Sequence, residues 1–149
     1  MKIMQMKKYD VDGVFDLESE CFSTPWSKQS IASELKNPNA RFFVACRDNC
    51  VIGYIGMHLI LDECYITNIA VSRKNRKNGV GSSLLGYAIS YAKANSASFI
   101  TLEVRESNII AIEFYKKFGF KPQGFRKNFY ENPLENGLIF TKWFGEEVF

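Results

Sequence analysis

The order of three patterns between residues 64 and 105 limits the fold of this chain more than any other feature. Residues 64–71 read as a strand, residues 80–94 repeat apolar side chains at the helical period, and residues 99–105 read as a second strand. Two strands joined through a helix need a crossover connection, which makes them parallel strands of one sheet. The sequence therefore predicts a strand–helix–strand unit with parallel strands.

The segments on either side of this unit add helices and antiparallel strands. Asp10, Ser27 and Asn108 are the predicted N-caps of three further helices, and a predicted hairpin turns at Asp48-Asn49. The predicted elements outside the unit occupy residues 11–21, 27–35 and 108–118 for helices and 42–46, 50–60, 120–129 and 138–144 for strands. The predicted fold class is α+β, a mixed and mostly antiparallel sheet with helices on both faces, in a single domain over residues 1–149.

The composition narrows the classes of function. Hydrophobic residues make up 46% of the 149 residues, so a well-filled core is possible. The net charge of +3 does not by itself indicate nucleic acid, and no direct nucleic-acid partner is expected. No apolar stretch reaches the length of a membrane span, and the first residues lack the long apolar segment of a signal peptide. We therefore expect a cytoplasmic protein without a membrane partner.

Histidine and cysteine give no sign of a metal site. The spacings of Cys21, Cys46, Cys50 and Cys64 match neither a zinc pattern nor Cys-x-x-Cys, and His58, the only histidine, lies in an apolar strand. Cys46 and Cys50 flank the predicted hairpin turn and could face each other across it. We expect buried or half-buried thiols without a chemical role, a packed or edge histidine, and no metal.

Positive charge is concentrated in front of the helix that begins at residue 80. Residues 73–83 read Arg-Lys-Asn-Arg-Lys-Asn-Gly-Val-Gly-Ser-Ser. A helix start offers unpaired backbone N–H groups, and glycines let a ligand approach them, so this loop suits an anion, most naturally phosphate. The run lacks the third glycine of the dinucleotide fingerprint and the Gly-Lys-Ser/Thr of the P-loop. A solvated basic turn is the alternative interpretation.

The strand end, the loop and the helix start together resemble the acyl-CoA motif of the GNAT superfamily of N-acetyltransferases. The resemblance rests on Ile-Ala-Val at residues 69–71, the short loop, and Arg-x-x-Gly-x-Gly at residues 76–81. It implies that loop amides hold the pyrophosphate of the cosubstrate acetyl-CoA, and that N–H groups of the strand end stabilise the developing oxyanion. The residues implied to bind the cosubstrate are Ile69, Ala70, Val71, Arg76, Lys77, Asn78, Gly79, Val80, Gly81, Ser82 and Asn108.

Segments outside this motif resemble one subgroup of the superfamily, the RimI-type enzymes. The main ones are Phe-x-x-Pro-Trp-Ser at residues 22–27, Leu-Glu-Val-Arg-x-Ser-Asn at 102–108 and Tyr-x-x-x-Gly-Phe at 115–120. These enzymes acetylate the N-terminal alanine of a small-subunit ribosomal protein, so the resemblance implies a ribosomal-protein N-terminal peptide as the partner. It also implies that Glu103 is the general base, acting through water, and that Tyr115 is the general acid.

The predicted strand and helix geometry agrees with these two roles but also permits structural ones. Glu103 shares one face of its strand with Thr101 and Arg105. Where helices cover both faces of a sheet, a carboxylate in the middle of a strand is unexpected unless it has a function. Tyr115 lies about two helical turns after Asn108, so the two side chains project on nearly the same face. In the alternative interpretation, Glu103 is an exposed carboxylate and Tyr115 is a core aromatic with its hydroxyl at the rim.

Aromatic residues outside the acyl-CoA motif indicate the acceptor side. Trp26 and Tyr130 are predicted to line the peptide entrance, although Trp26 could instead plug the first helix pair. At pH 7 an α-amine is about one-tenth neutral and a lysine about one part in 2,500, which favours an N-terminal acceptor. Departures from the subgroup at Phe129 and Asn136 leave open an enzyme that acts on a small amine, a lysine or another peptide. A non-catalytic CoA-binding module is the other alternative.

Overall fold

A seven-stranded sheet with helices on both faces organises the computed structural model, which describes residues 1–145. In chain order the elements are β1 (Lys2–Gln5), α1 (Val11–Cys21), α2 (Lys28–Glu34), β2 (Ala40–Arg47), β3 (Cys50–Ile60), β4 (Glu63–Val71), α3 (Val80–Ala94), β5 (Phe99–Arg105), α4 (Ile109–Lys117), β6 (Lys121–Tyr130) and β7 (Glu135–Trp143). The strand order is β1-β2-β3-β4-β5-β7-β6. Every neighbouring pair is antiparallel except β4 and β5, which are parallel as predicted.

The predicted α+β class is confirmed, and the one strand missed is β1. Its four residues, Lys-Ile-Met-Gln, pair with the outer edge of β2, and only Ile3 is even half-buried. A short edge strand that buries so little carries almost no alternation of apolar and polar residues, which is the signal that identifies strands in a sequence. β7 also begins at Glu135, earlier than the predicted residue 138.

Two apolar layers fix the helices to the sheet. On one face, α1 and α2 bury Val14, Leu17 and Ile31 against side chains of β2 and β3, among them Phe42 and Tyr54. The layer on the other face is larger and takes in α3, α4, the strands from β2 to β5, and β7. No side chain of β5, β6 or β7 is buried in the first layer, so α1 and α2 leave that part of their face without helical cover.

Two of the three predicted helix caps are confirmed, and the third is wrong. The Ser27 side chain accepts a hydrogen bond from the N–H of Ser30, and that of Asn108 accepts one from the N–H of Ala111. Such caps stabilise a helix by about 1 kcal/mol. Asp10 itself has helical backbone angles, and its carboxylate accepts instead from the N–H of Lys7 at 2.8 Å. It therefore closes the turn before α1 rather than capping α1.

The parallel strands β4 and β5 separate after a short paired stretch. Only residues 63–65 of β4 pair with β5, opposite residues 99–101. Beyond this point β4 keeps its pairing with β3, with a bulge next to Gly56, while β5 keeps its pairing with β7. The two strands thus leave a cleft between their carboxyl ends, and loops and helix starts that bear predicted site residues lie at this end of the sheet.

The cysteines differ in detail from expectation, and the histidine agrees with it. All four cysteines are free. The register places Cys46 opposite Val51 and Cys50 opposite Arg47, so the two thiols do not face each other directly, and Cys50 is exposed rather than buried. His58 contacts the Glu34 carboxylate through Nε2 at 2.5 Å, which makes it a packed histidine as predicted. No metal-ligand cluster occurs among residues 1–145, and none of the helices described there has the length and hydropathy to cross a membrane.

Candidate active site

The loop in front of α3 presents six consecutive backbone N–H groups. Lys77 and Gly79 have left-handed φ angles of 66° and 80°, which turn the chain into the helix. The first intrahelical bond runs from the N–H of Ser83 to the carbonyl of Gly79 at 3.0 Å. Within residues 1–145, no protein acceptor takes a hydrogen bond from the amides of residues 77–82. This end of the cleft is therefore a concentration of donors at the positive end of a helix dipole.

The two glycines of this loop leave its surface open. A Cβ atom added to Gly79 would meet nothing within 4 Å, but the positive φ there favours glycine. A Cβ atom on Gly81 would only touch Phe114 and Val71, both at 3.7 Å, which is ordinary contact. The protein's own packing therefore does not require glycine at position 81, whereas an anion lying on these amides would. Free donors and open space together fit a pyrophosphate.

The basic side chains of the loop are partly occupied by the protein. Arg76 donates from Nε to the carbonyl of Val71 at 3.0 Å, and its guanidinium also lies 3.3 Å from the sulfur of Cys21. Arg73 contacts the carbonyl of Glu20 at the end of α1. Lys77 is exposed. Arg76 thus braces the end of β4 against α1, so the amides rather than this side chain form the inner surface of the loop.

The end of β4 forms one wall of the cleft. Ile69, Ala70 and Val71 pair with β3 on one side, opposite Ile55, Tyr54 and Gly53. No strand pairs with them on the other side, where β5 has separated. None of the three side chains is polar, so the backbone alone supplies hydrogen-bonding groups here.

Glu103 projects from β5 on the face of the sheet that carries α1 and α2. The burial alternation along β5 confirms the predicted faces, because residues 100, 102 and 104 are buried and residues 99, 101, 103 and 105 are half-buried. The expectation that a helix covers this carboxylate is wrong. Its contact is Arg126 of β6, which donates from Nε to Oε1 at 2.9 Å, and the Glu103 side chain remains 27% exposed. The carboxylate is therefore accessible to a small molecule.

Tyr115 of α4 is 6% exposed and lies between aromatic neighbours. Its ring centroid is 5.4 Å from that of Phe114 and 5.8 Å from that of Phe120. Burial, and then the nearby Tyr130, raise the pKa of Tyr115 above its usual value. In the part of the chain that the structure describes, its hydroxyl makes no hydrogen bond with the protein. The phenol is thus held protonated and available as a donor.

Tyr130, at the end of β6, connects these two groups. Burial, followed by the charge of Glu103, raises the pKa of Tyr130 to about 12, and Arg105 acts in the opposite direction. The Arg105 guanidinium lies over the Tyr130 ring, 4.6 Å from its centroid. Tyr130 is therefore linked electrostatically to both Glu103 and Tyr115, and these three residues from β5, α4 and β6 are called the side-chain cluster.

Trp26 lies on the other side of this region and has mainly structural contacts. Its ring is half-buried and packs at 6.2 Å from that of Phe42, beneath α1 and α2. Its backbone N–H donates to Oε1 of Glu18 at 2.9 Å. The loop that carries Trp26 approaches the β6–β7 turn, since the Ser23 hydroxyl donates to the carbonyl of Asn132 at 3.1 Å. Tyr130, and not Trp26, acts electrostatically with Glu103 and Tyr115.

Asn108 lies directly before α4, where it serves as the cap described above. Its carboxamide oxygen is 3.2 Å from the amide nitrogen of Ala111. Asn108 is exposed and has non-helical backbone angles, whereas Tyr115 is buried, so their sharing of one helix face stays a prediction.

Two polar networks around the cluster were missed by the sequence analysis. Glu18 is 1% exposed, and it accepts hydrogen bonds from the Trp26 amide, the Tyr54 hydroxyl and the Asn68 carboxamide. The sequence does indicate that Glu18 has such partners, because it lies on the apolar stripe of α1 and a carboxylate on a buried face needs hydrogen-bond donors. Arg105 donates to Oε2 of Glu135 at 3.1 Å.

The Arg105 network holds the β6–β7 turn over the end of β5. Arg105 also donates to the carbonyls of Pro133 and Glu131 at 2.9 and 2.8 Å, and Glu135 accepts from the N–H of Ser107 at 2.6 Å. Hydrogen bonding from Ser107 is the main cause that lowers the pKa of Glu135. Arg105 stands in the Leu-Glu-Val-Arg segment, but its partners lie about 30 residues further along the chain and could not be read from the sequence.

Comparison with known proteins gives a consistent assignment. The family model described as "Acetyltransferase (GNAT) family" matches residues 11–120. A protein of Bacillus subtilis (strain 168) with the provisional name ribosomal protein bS18-alanine N-acetyltransferase is 38% identical over 138 residues, which are 92% of this chain and 91% of the relative. A ribosomal protein bS18-alanine N-acetyltransferase of Haemophilus influenzae is 31% identical over 143 residues, 92% of this chain and 94% of that protein.

A solved structure agrees over the full length. The crystal structure of the ribosomal-protein-S18-alanine N-acetyltransferase from Escherichia coli superposes with a TM-score of 0.88 at 25% identity and covers 99% of this chain and 98% of that one. The free amides before α3 and the cleft between β4 and β5 lie within the segment that the family model matches. The chain therefore belongs to the GNAT acetyltransferase family, and it is an N-acetyltransferase that uses acetyl-CoA as its cosubstrate.

Proposed function

We propose that this enzyme transfers the acetyl group of acetyl-CoA to the α-amine of an N-terminal alanine on a small-subunit ribosomal protein. The observation that carries the proposal is the cluster of Glu103, Tyr115 and Tyr130 beside a cleft whose other end is lined by free amides. The names of the relatives support the choice of acceptor. The cluster provides an accessible carboxylate, a protonated phenol and an aromatic wall in one place.

The amides of residues 77–82 hold the pyrophosphate in this proposal. Acetyl-CoA supplies the activated acetyl group as a thioester. Six unpartnered N–H groups at a helix start provide hydrogen bonds to phosphate oxygens without any rearrangement. Arg76 contributes positive charge while it braces the end of β4, and exposed Lys77 adds a second cation. Backbone N–H groups of residues 69–71 donate to the oxygen on which negative charge develops.

Glu103 is the general base in this proposal, and it acts through water. An α-amine attacks only when it is neutral, so a proton must leave it before or during the reaction. The Glu103 carboxylate is 27% exposed on the open face and has room for a bridging water. Its ion pair with Arg126 keeps it oriented, and the exposed guanidinium of Arg126 can move away on the edge strand β6 when the acceptor binds.

Tyr115 is the general acid in this proposal, and it protonates the departing thiolate. Burial keeps its pKa above that of a free phenol, so the hydroxyl retains its proton at neutral pH. Phe114, the preceding residue of α4, lies beside Gly81 at the start of α3, and this contact ties the Tyr115 helix to the anion loop. A donor that packing already holds in place needs no reorganisation at the moment of reaction.

The choice between an N-terminal amine and lysine follows from the proton equilibrium. The neutral fraction at pH 7 differs between the two amines by a factor worth roughly 3.5 kcal/mol. One carboxylate acting through water is adequate for the α-amine, and Glu135, the other carboxylate that acts on Tyr130, is held by Arg105 and Ser107. Acetylation of a small amine remains the second candidate, supported by the open, partly exposed surroundings of Glu103.

The test is a competition assay in which one reaction contains acetyl-CoA and an equimolar panel of acceptors. The panel holds an alanine-led ribosomal peptide, the same peptide with an acetylated N-terminus and an internal lysine, free lysine and a polyamine, and the products are read by mass spectrometry. We expect acetylation on the alanine α-amine at a rate at least tenfold above the other acceptors, because of the difference in neutral fraction. Equal or faster acetylation of the polyamine would replace the peptide acceptor with a small amine.

A further inference from the structure

An aromatic row lies on the same face of the sheet as Glu103. It consists of Tyr65 on β4, Phe99 on β5 and Trp143 on β7. The ring centroids of Tyr65 and Phe99 are 6.1 Å apart, and those of Phe99 and Trp143 are 5.0 Å apart, with both pairs inclined to each other. Tyr65 is 38% exposed and Trp143 is 55% exposed. Phe99, between them, is half-buried. Contiguous aromatic rings that reach solvent in this way mark a candidate binding surface.

Strand register shows that the row continues the catalytic face. Phe99 and Glu103 stand four residues apart on β5, so both point to the same side of the sheet. Thr101 lies between them, and its hydroxyl contacts that of Thr141 on β7 at 2.8 Å. Trp143, two residues further along β7, therefore also points to this side of the sheet. The apolar layer beneath α1 and α2 includes no residue of β5 or β7. The row is therefore reached from Glu103 without crossing a helix.

Carboxylates accompany this surface. Glu63 accepts a hydrogen bond from the Tyr65 hydroxyl, and this bond is the largest cause that raises the pKa of Tyr65. Glu103 stands at the other end of the surface, and its charge also acts on Tyr65. Aromatic ring faces beside carboxylates attract Lys and Arg side chains through cation–π and ionic contacts. The chemistry of the surface thus favours an extended cationic peptide.

We propose that the row of Tyr65, Phe99 and Trp143 binds the segment that follows the acceptor's N-terminal residue, and that it favours cationic side chains in that segment. This inference rests on the proposed function, since it continues the path of a peptide whose amine lies at Glu103. Four strand residues separate Phe99 from Glu103, a distance of about 13 Å. An extended acceptor spans this distance with about four residues, so only peptides longer than about five residues reach the row.

The experiment measures kcat/KM for three alanine-led peptides with the same first three residues. One is a tripeptide, one is an octapeptide with lysines at positions 4–7, and one is the same octapeptide with glutamines in place of the lysines. In the wild type we expect the lysine octapeptide to exceed the tripeptide about tenfold, since roughly 1.4 kcal/mol of added contact gives that factor. Trp143→Ala reduces this advantage to about twofold and leaves the tripeptide unchanged.

Two further variants separate binding from folding. Trp143→Lys keeps an aliphatic stem but repels cations, so we expect it to lower the lysine octapeptide below the glutamine one. Tyr9→Ala removes an aromatic ring that is 79% exposed at the turn before α1, and it should change none of the three peptides. Melting temperatures of all variants show whether the sheet is intact.

The outcomes distinguish this inference from the proposed function. Equal kcat/KM for the tripeptide and the lysine octapeptide in the wild type overturns the inference while the proposed function stands. An equal loss on all three peptides in Trp143→Ala overturns it too, because the tryptophan is then only structural. A wild-type dimer that Trp143→Ala converts to monomer assigns the row to a second copy of the chain and also overturns it. If no peptide is acetylated, the proposed function fails and the inference falls with it.

Discussion

The two ends of the cleft between β4 and β5 present different kinds of chemical group, backbone at one end and side chains at the other. At one end, a continuous segment of residues 69–82 presents backbone N–H groups, with a left-handed glycine and a helix start to arrange them. At the other end, Glu103, Tyr115 and Tyr130 present side chains from β5, α4 and β6. Backbone donors are the same for almost any sequence that adopts the loop, whereas each side chain of the second end is individually required.

This difference predicts how each end responds to substitution. The loop tolerates changes of side chain unless they fill the space above its amides, because the donors belong to the main chain. The side-chain cluster responds to the loss of a single atom, because a hydroxyl or a carboxylate oxygen is the reacting group. Substitutions at the loop should therefore act on the affinity for acetyl-CoA, and substitutions in the cluster on turnover or on the acceptor.

The largest effect is expected from Gly81→Glu. Its Cβ atom fits the protein, but the side chain and its charge then occupy the space over the free amides. We expect binding of CoA to fall below detection by calorimetry, with acetyl transfer lost as a result and the melting temperature nearly unchanged. The matched control is Gly86→Glu, which puts the same residue on α3 at a glycine whose Cβ would meet nothing within 4 Å. Wild-type affinity in Gly81→Glu would exclude a pyrophosphate on these amides.

The next largest effect is expected from Glu103→Gln and Tyr115→Phe. Each variant keeps the shape of the side chain and removes its capacity to accept or donate a proton, a function worth typically 10²–10⁴-fold. We expect kcat to fall by roughly 10²-fold, with affinity for CoA within about twofold of the wild type. Glu113→Gln and Tyr87→Phe, on the exposed sides of α4 and α3, serve as controls. A variant that retains near-normal turnover would have a structural residue at that position.

Glu18→Ala should destabilise the protein rather than affect the chemistry directly. It leaves the Trp26 amide, the Tyr54 hydroxyl and the Asn68 carboxamide without their shared acceptor, and each unpaired buried group costs about 1–3 kcal/mol. We expect a fall in melting temperature of about 10 °C. Asp16→Ala, on the exposed side of the same helix, should change it by less than about 2 °C. Equal melting temperatures would mean that water replaces the carboxylate.

The smallest effects are expected at Trp26, where substitution should lower stability, and at Tyr130, where it should weaken acceptor binding. Because Trp26 packs on Phe42 and the α1–α2 layer, Trp26→Ala should lower the melting temperature by about 5 °C. Tyr130 is linked electrostatically to Glu103 and Tyr115, so Tyr130→Ala should raise the KM for the acceptor peptide about tenfold, with a smaller effect on melting. Steady-state kinetics and thermal melts on both variants give the comparison. The reverse pattern would move the peptide entrance to Trp26.

The backbone end of the cleft could be predicted from the sequence, whereas the pairings at the side-chain end could not. The parallel β4–β5 pair, α3 and its glycine loop could be predicted because they are contiguous and each local pattern has a physical cause. The pairing of Glu103 with Arg126 could not, because it depends on β7 lying between β5 and β6 in the sheet. The partners of Glu18 depend on three separate segments, and β1 buries too little to leave a pattern.

Amide hydrogen exchange on the wild-type enzyme tests the division between the two ends most directly. Free N–H groups at residues 77–82 should exchange rapidly without ligand and become protected when CoA is added, because phosphate oxygens then accept their hydrogen bonds. An acceptor peptide should instead protect residues around Tyr130 and in β5, and leave residues 77–82 unchanged. The account is contradicted if CoA leaves the exchange of residues 77–82 unaltered, or if the peptide protects them instead.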